Sequence, residues 1–131
     1  MFFAIGYYEK ALQKYYEAIE RFEMLGRQRN IGQIYLNISA VYIQRSAFQN
    51  SQRYLEIALS LFQKQGDEQN LLSAYNNLGK IYENQDKWKQ ALKYYKKALA
   101  MALQLNDTIH SPIIKANLGH VLINSNDYTE A

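Results

Sequence analysis

The sequence predicts an all-α chain built as a solenoid of antiparallel helix pairs. Three observations lead there. The chain repeats itself at a shift of 40 residues, its apolar residues recur at steps of three and four, and its 131 residues include one Pro and six Gly. Such sparse punctuation suits long helices joined by short turns better than a meander of strands.

The repeat is the strongest signal, because a fixed period means that one supersecondary unit is stacked on copies of itself. Tyr35, Leu36, Asn37 and Ile38 fall over Tyr75, Asn76, Asn77 and Leu78, and these over Lys115, Ala116, Asn117 and Leu118. Tyr8, Phe48, Trp88 and Tyr128 share a column, as do Ala11, Ser51, Ala91 and Ala131. Ala18, Ala58 and Ala98 share another. The turns agree as well, since Gly26 falls over Gly66, and Gly66 and Asp67 fall over Asn106 and Asp107.

These columns divide the chain into a partial repeat 1–26, repeats 27–66 and 67–106, and a cut repeat 107–131. In the partial repeat the end of a first helix precedes a second helix from Tyr8 to Leu25. In the cut repeat a first helix ends near Asn124, followed by the opening turns of its partner, Asn126 to Ala131. Trp88, Ala91, Leu92, Tyr95, Ala98, Leu99 and Ala102 lie on one face of a second helix, so that face is buried. Small Ala91 and Ala98, with Gly79 on the preceding helix, let two helices approach while aromatic rings fill the remaining volume. Asp86 reads as the N-cap of the helix that carries Trp88, and Asp67 and Asp107 as starts of first helices. Ser111 and Pro112 offer the last helix a second possible start. Gly26 and Gly66 stand where a left-handed C-terminal cap is needed.

Tyr75, Leu78, Gly79 and Tyr82, followed by Ala91, Tyr95 and Ala98, resemble the tetratricopeptide repeat motif at each of those spacings. The period is longer than the common one of that family. It is similar to that of kinesin light chain, of LGN-type polarity adaptors and of the Rap and PlcR-type peptide-sensing regulators. The resemblance covers essentially the whole chain. It implies a right-handed superhelical solenoid that holds a protein or peptide in signalling or scaffolding, with first helices lining the concave face.

On that reading the groove is lined by Ser73, Asn77, Lys80 and Asn84, by Gln33, Asn37, Ala40 and Gln44, and by Ile113, Asn117, His120 and Asn124. A carboxamide both donates and accepts, so it matches the main chain of an extended peptide. The resemblance implies that role for Asn37, Asn77 and Asn117. Lys80 and His120 share a level where they attract an acidic group. The carboxylate-clamp form of the family carries Lys or Arg where this chain has Gln33, Ser73 and Ile113, which speaks against a C-terminal carboxylate as ligand. The competing reading is that these amides are exposed polar positions bonded to local backbone.

Composition narrows the alternatives. Cysteine is absent, which removes disulfides, thiolate nucleophiles and thiolate metal sites. The two histidines, His110 and His120, have no carboxylate at a helical step from His120 to complete a metal shell, and there is no Gly-rich phosphate loop. The reading is therefore of a chain that is not an enzyme and needs no cofactor. A net charge of +3 supports only weak attraction to anions. Lys87, Lys89, Lys93, Lys96 and Lys97 raise nucleic-acid binding as an alternative, but this face is the outer side of an amphipathic helix, so nucleic acid is disfavoured.

The apolar start from Met1 to Ile5 is too short for a signal core and has no leading positive charge. No export signal or membrane span is read, and the cytoplasm is the default location. The cut repeat leaves Leu118, Val121 and Leu122 without their usual cover. A fragment of a larger regulator, acting as a structural or self-associating segment through that open repeat, is thus a further alternative.

Overall fold

In a computed structural model the protein is described from residue 2 to residue 130, with side chains from 6 to 125 apart from 28 and 29. Among the described residues there are six α-helices and no strand. They are α1 (Phe2–Met24), α2 (Gln28–Gln44), α3 (Phe48–Gln65), α4 (Glu68–Asn84), α5 (Trp88–Gln104) and α6 (His110–Glu130).

The turns between them follow from two columns of left-handed backbone. Gly26, Gly66 and Asn106 have φ of 69°, 65° and 55°, and Ser46 and Asp86 have φ of 58° and 59°. Glycine takes this conformation without a Cβ penalty, and short polar side chains tolerate it better than apolar ones. Four of the turns close in the same way. The amides of Arg27, Ala47, Lys87 and Asp107 donate to the carbonyls of Phe22, Tyr42, Tyr82 and Ala102 at 2.8–2.9 Å. This six-residue closure satisfies helix-end carbonyls that would otherwise be orphaned. Asp67 then caps α4, accepting from the Asn70 amide at 3.2 Å.

Asp86 does not cap α5. The N-cap is Lys87, which makes no side-chain cap bond, and Asp86 instead occupies the left-handed position that ends α4. One residue cannot be left-handed and also take the extended conformation an N-cap requires. The expected breaks near positions 7 and 125 are also absent. Gly6 and Asn126 share the column of Ser46 and Asp86, yet each lies inside a continuous helix, α1 and α6. A left-handed turn forfeits helical hydrogen bonds, and the packing of a helix pair on both sides of it makes up that loss. At Gly6 and Asn126 the backbone keeps the uninterrupted helical hydrogen-bond ladder instead.

The chain forms two compact units, Met1–Gly66 and Asp67–Ala131. In the first, α2 packs on α3 and α1 on α2. Ser39 meets Ser51 and Gly32 meets Phe62, so residue numbers fall on α2 as they rise on α3 and the helices are antiparallel. The Tyr54 ring lies between Tyr35 and Tyr42, with centroids 6.1 and 5.6 Å away and near-parallel planes. Ser51 Oγ donates to the Ser39 carbonyl at 2.8 Å, so both buried serines are satisfied.

The second unit repeats this design with exchanged volumes. Tyr94 lies between Tyr75 and Tyr82 at 6.1 and 5.6 Å. Where α2 and α3 oppose Gly32 and Phe62, α4 and α5 bring Leu72 and Ala102 into one buried cluster. Where the first unit has Ser39 and Leu55, the second has Gly79 and Tyr95. A Cβ on Gly79 would lie 2.5 Å from Tyr95 Cε1, and one on Gly32 would lie 2.7 Å from Phe62 Cε1. Total volume is kept while its source moves from one helix to the other, as close packing demands.

This exchange sets a test. Gly79→Ala should destabilise the chain by about 1–3 kcal/mol through overpacking, measured by urea unfolding. Adding Tyr95→Leu should recover part of that loss, because it rebuilds the small residue over leucine that Ser39 and Leu55 already form in the first unit.

Candidate functional site

The expected binding residues lie on α2, α4 and α6. On α2, Gln33 and Gln44 are exposed, while Asn37 and Ala40 are half-buried. Steps of four, three and four keep them on one side of the helix, beside the face whose Ile34, Ile38 and Val41 enter the core. Among the described residues the Asn37 carboxamide has no hydrogen-bond partner.

On α4, Ser73, Asn77 and Lys80 are half-buried and Asn84 is exposed. Asn77 likewise has no intramolecular partner among the described residues, and Lys80 meets no carboxylate there. Asn84 is engaged, since its Nδ2 donates to the Lys80 carbonyl at 2.8 Å. On α6, Ile113 is exposed, and Asn117 Nδ2 donates to Asn76 Oδ1 at 3.2 Å. His120 Nδ1 stands 2.6 Å from Glu83 Oε2, and a carboxylate partner makes that nitrogen the donor. Asn124 Nδ2 lies 3.2 and 3.5 Å from the two ring nitrogens of His120, and Nε2 is the one left to accept from it.

Three α4 residues at steps of seven therefore tie α4 to α6 and the turn before it: Gln69 to Asp107 in the turn, and Asn76 to Asn117 and Glu83 to His120 on the helix. Glu83 also accepts from the Tyr95 hydroxyl at 2.8 Å through its other oxygen. Burial first, and then this bond to a carboxylate, push the Tyr95 phenol well above its usual pKa, so it remains a neutral donor. Asp107 Oδ1 accepts from the amides of Ile109 and His110 at 3.1 and 2.8 Å, and its Oδ2 meets His110 Nδ1 at 2.7 Å. The amide of His110, followed by the Gln69 side chain, holds its carboxyl down at about 2.

The basic face of α5 is partly committed to packing. Lys97 Nζ lies 5.4 and 5.6 Å from the Tyr75 and Tyr94 ring centroids, and Lys93 Nζ lies 5.5 Å from that of Tyr94.

A family model described as the tetratricopeptide repeat matches residues 30–104. The chain belongs to the tetratricopeptide repeat family. Such repeats generally mediate protein–protein interaction and are generally non-catalytic scaffolds. Among solved structures, BtubC (BKLC) from P. vanneervenii is similar, with 26% identity and a TM-score of 0.81 over 96% of this chain. This tetratricopeptide chain spans about half of that one, 53%. No curated protein matches it. Its architecture is all-α and tetratricopeptide-like, and among the described residues no helix is long and apolar enough to cross a membrane.

Gln69, Asn76 and Glu83 escaped the sequence reading of this tetratricopeptide chain. Their signal was present, as a polar stripe at steps of seven beside the aromatic columns, but their partners lie 37–41 residues away.

Asp107 supplies a pH test. Its carboxyl titrates lower in the folded chain than in the unfolded one. Its contribution to stability is therefore complete above the ordinary value of 3.8 and disappears as pH falls through about 2. The difference in thermal midpoint between wild type and Asp107→Asn should be constant from neutral pH down to that upper value and narrow below it, as followed by circular dichroism.

Proposed function

We propose that this chain holds extended partner-protein segments on the exposed sides of its first helices, each unit making its own contact. The main-chain contacts are Asn37 in repeat 27–66 and Asn77 in repeat 67–106, and Lys80 attracts an acidic side chain of the ligand. One observation carries this reading: Asn37 and Asn77 share a column, are both half-buried, and have no intramolecular partner among the described residues. An amide held by its surroundings but left unbonded is suited to an incoming peptide C=O and N–H. Gln33, Ser73 and Gln44 flank these two positions and extend the polar surface along each helix.

The remaining amides divide differently. Asn84 bonds local backbone, while Asn117 and Asn124 bond Asn76 and His120, so a ligand reaching them competes with bonds already made. This supports a smaller contact set than three matching rungs of carboxamides. Each main-chain bond contributes about 0.5–1.5 kcal/mol net, so affinity is modest without apolar pockets.

The test is a random peptide library panned against the chain, with the selected peptide titrated by fluorescence anisotropy. Asn77→Ala and Asn37→Ala should each weaken binding by roughly three- to tenfold, the equivalent of one lost hydrogen bond. Lys96→Ala, on the exposed face of α5, should leave binding unchanged. Unaltered binding in both Asn variants would refute the assignment. Capture of single-stranded DNA, steeply weakened by salt and by Lys96→Ala, would replace it with an anionic ligand on α5.

A further inference from the structure

Lys89, Lys93, Lys96 and Lys97 are exposed on the outer side of α5, a helix that holds no acidic residue. Among the described residues none of the four pairs with a carboxylate. Lysines three and four apart repel one another on a helix, so Lys93 opposes Lys89, Lys96 and Lys97 together. The helix carries this repulsion uncompensated.

The tyrosine stack beneath does not call for it. Tyr54 lies between Tyr35 and Tyr42 in the first unit at the same 6.1 and 5.6 Å that separate Tyr94 from Tyr75 and Tyr82 in the second. Yet the columns of the four lysines hold Gln49, Arg53, Glu56 and Ile57 on α3. Those residues are exposed too, so the exposure of this face belongs to the repeat, while its uniform positive charge belongs to α5.

The rings hold two of the lysines in place. Lys97 Nζ lies 5.4 and 5.6 Å from the Tyr75 and Tyr94 centroids, and Lys93 Nζ lies 5.5 Å from that of Tyr94. A ring face restrains an ammonium without cancelling its charge, which lowers the ordering cost of meeting an anion. Lys89, Lys93 and Lys97 follow at steps of four, about 6 Å apart along the axis. Side chains on one side of an extended peptide recur at roughly 6.6 Å, nearly the same spacing.

The surroundings select among polyanions. Tyr75 and Tyr82 occupy both faces of Tyr94, so a nucleobase finds no place to stack on it. The side of α5 that carries Ala91, Tyr95, Ala98 and Ala102 is buried, so the helix has no apolar face to insert into a lipid surface. A row of carboxylates requires neither.

We propose that the outer face of α5 is a second docking surface, which takes an extended acidic segment of a partner protein with carboxylates at alternate positions meeting Lys89, Lys93 and Lys97. It shares no residue with the Asn37 and Asn77 contacts.

The probe is a fluorescent peptide alternating Glu with Thr, titrated against the full chain by anisotropy. Binding should saturate, and should weaken at least about tenfold as salt rises from about 50 to about 300 mM. Lys93→Gln/Lys97→Gln should weaken it roughly tenfold, the loss of two exposed ion pairs, with helicity by circular dichroism unchanged. Lys10→Gln/Lys14→Gln, which removes the same charge from exposed positions on α1, should leave binding unchanged, as should Asn77→Ala. Absence of saturable binding, or equal losses from the two lysine pairs, would overturn the proposal. So would a loss through Asn77→Ala, which assigns the probe to the first helices, or capture of oligothymidylate or anionic vesicles more tightly than the peptide through Lys93 and Lys97.

Discussion

An aromatic ring laid directly on bare helix backbone is the contact from which both units are built. Phe62 lies on Gly32 in one and Tyr95 on Gly79 in the other, each at a distance that a single added Cβ would violate. Close approach of the two backbones brings Tyr54 and Tyr94 between the tyrosines of their first helices. It also buries Ala58, Ala91 and Ala98 completely, positions where a larger side chain would hold the helices apart. The pair accommodates glycine on either level of the first helix because the volume is returned from the second. Leu72 with Ala102, and Ser39 with Leu55, are the same solution with the sizes moved.

Replacing leucine by tyrosine at position 95 brings a hydroxyl into the core, and that hydroxyl needs an acceptor. Glu83 supplies it, in a column that holds Ile43 and Ile123 elsewhere. With one oxygen on Tyr95 and the other on His120, Glu83 connects α5, α4 and α6 through a single carboxylate. The second unit thus exchanges apolar packing for a polar connection at this level, and removing one member would leave the others unpaired. The same connections separate the amides, because Asn117 and Asn124 are drawn into bonds while Asn37 and Asn77 have no partner among the described residues.

The forty-residue period, the apolar faces and the glycine turns were legible because each follows from local rules of spacing and backbone conformation. Asp67 and Asp107 were legible as helix starts for the same reason. Asp86 was not, because an acidic residue before a helix suits both the N-cap and the left-handed end of the preceding helix, and the choice depends on how the turn closes. Expected turns at Gly6 and Asn126 gave way to continuous helix, since Gly and Asn permit a left-handed turn without requiring one.

What the sequence determined by itself is the four central helices, α2 to α5, their pairing and the faces they bury, all governed by contacts that recur at one period along the chain. Tertiary structure alone decided which polar side chains are bonded to one another and which have no partner among the described residues. Asn77 and Asn117 are indistinguishable as letters in a column. They differ because Asn76 reaches one of them, and hydrogen bonds between helices depend on side-chain geometry that a one-dimensional period does not contain.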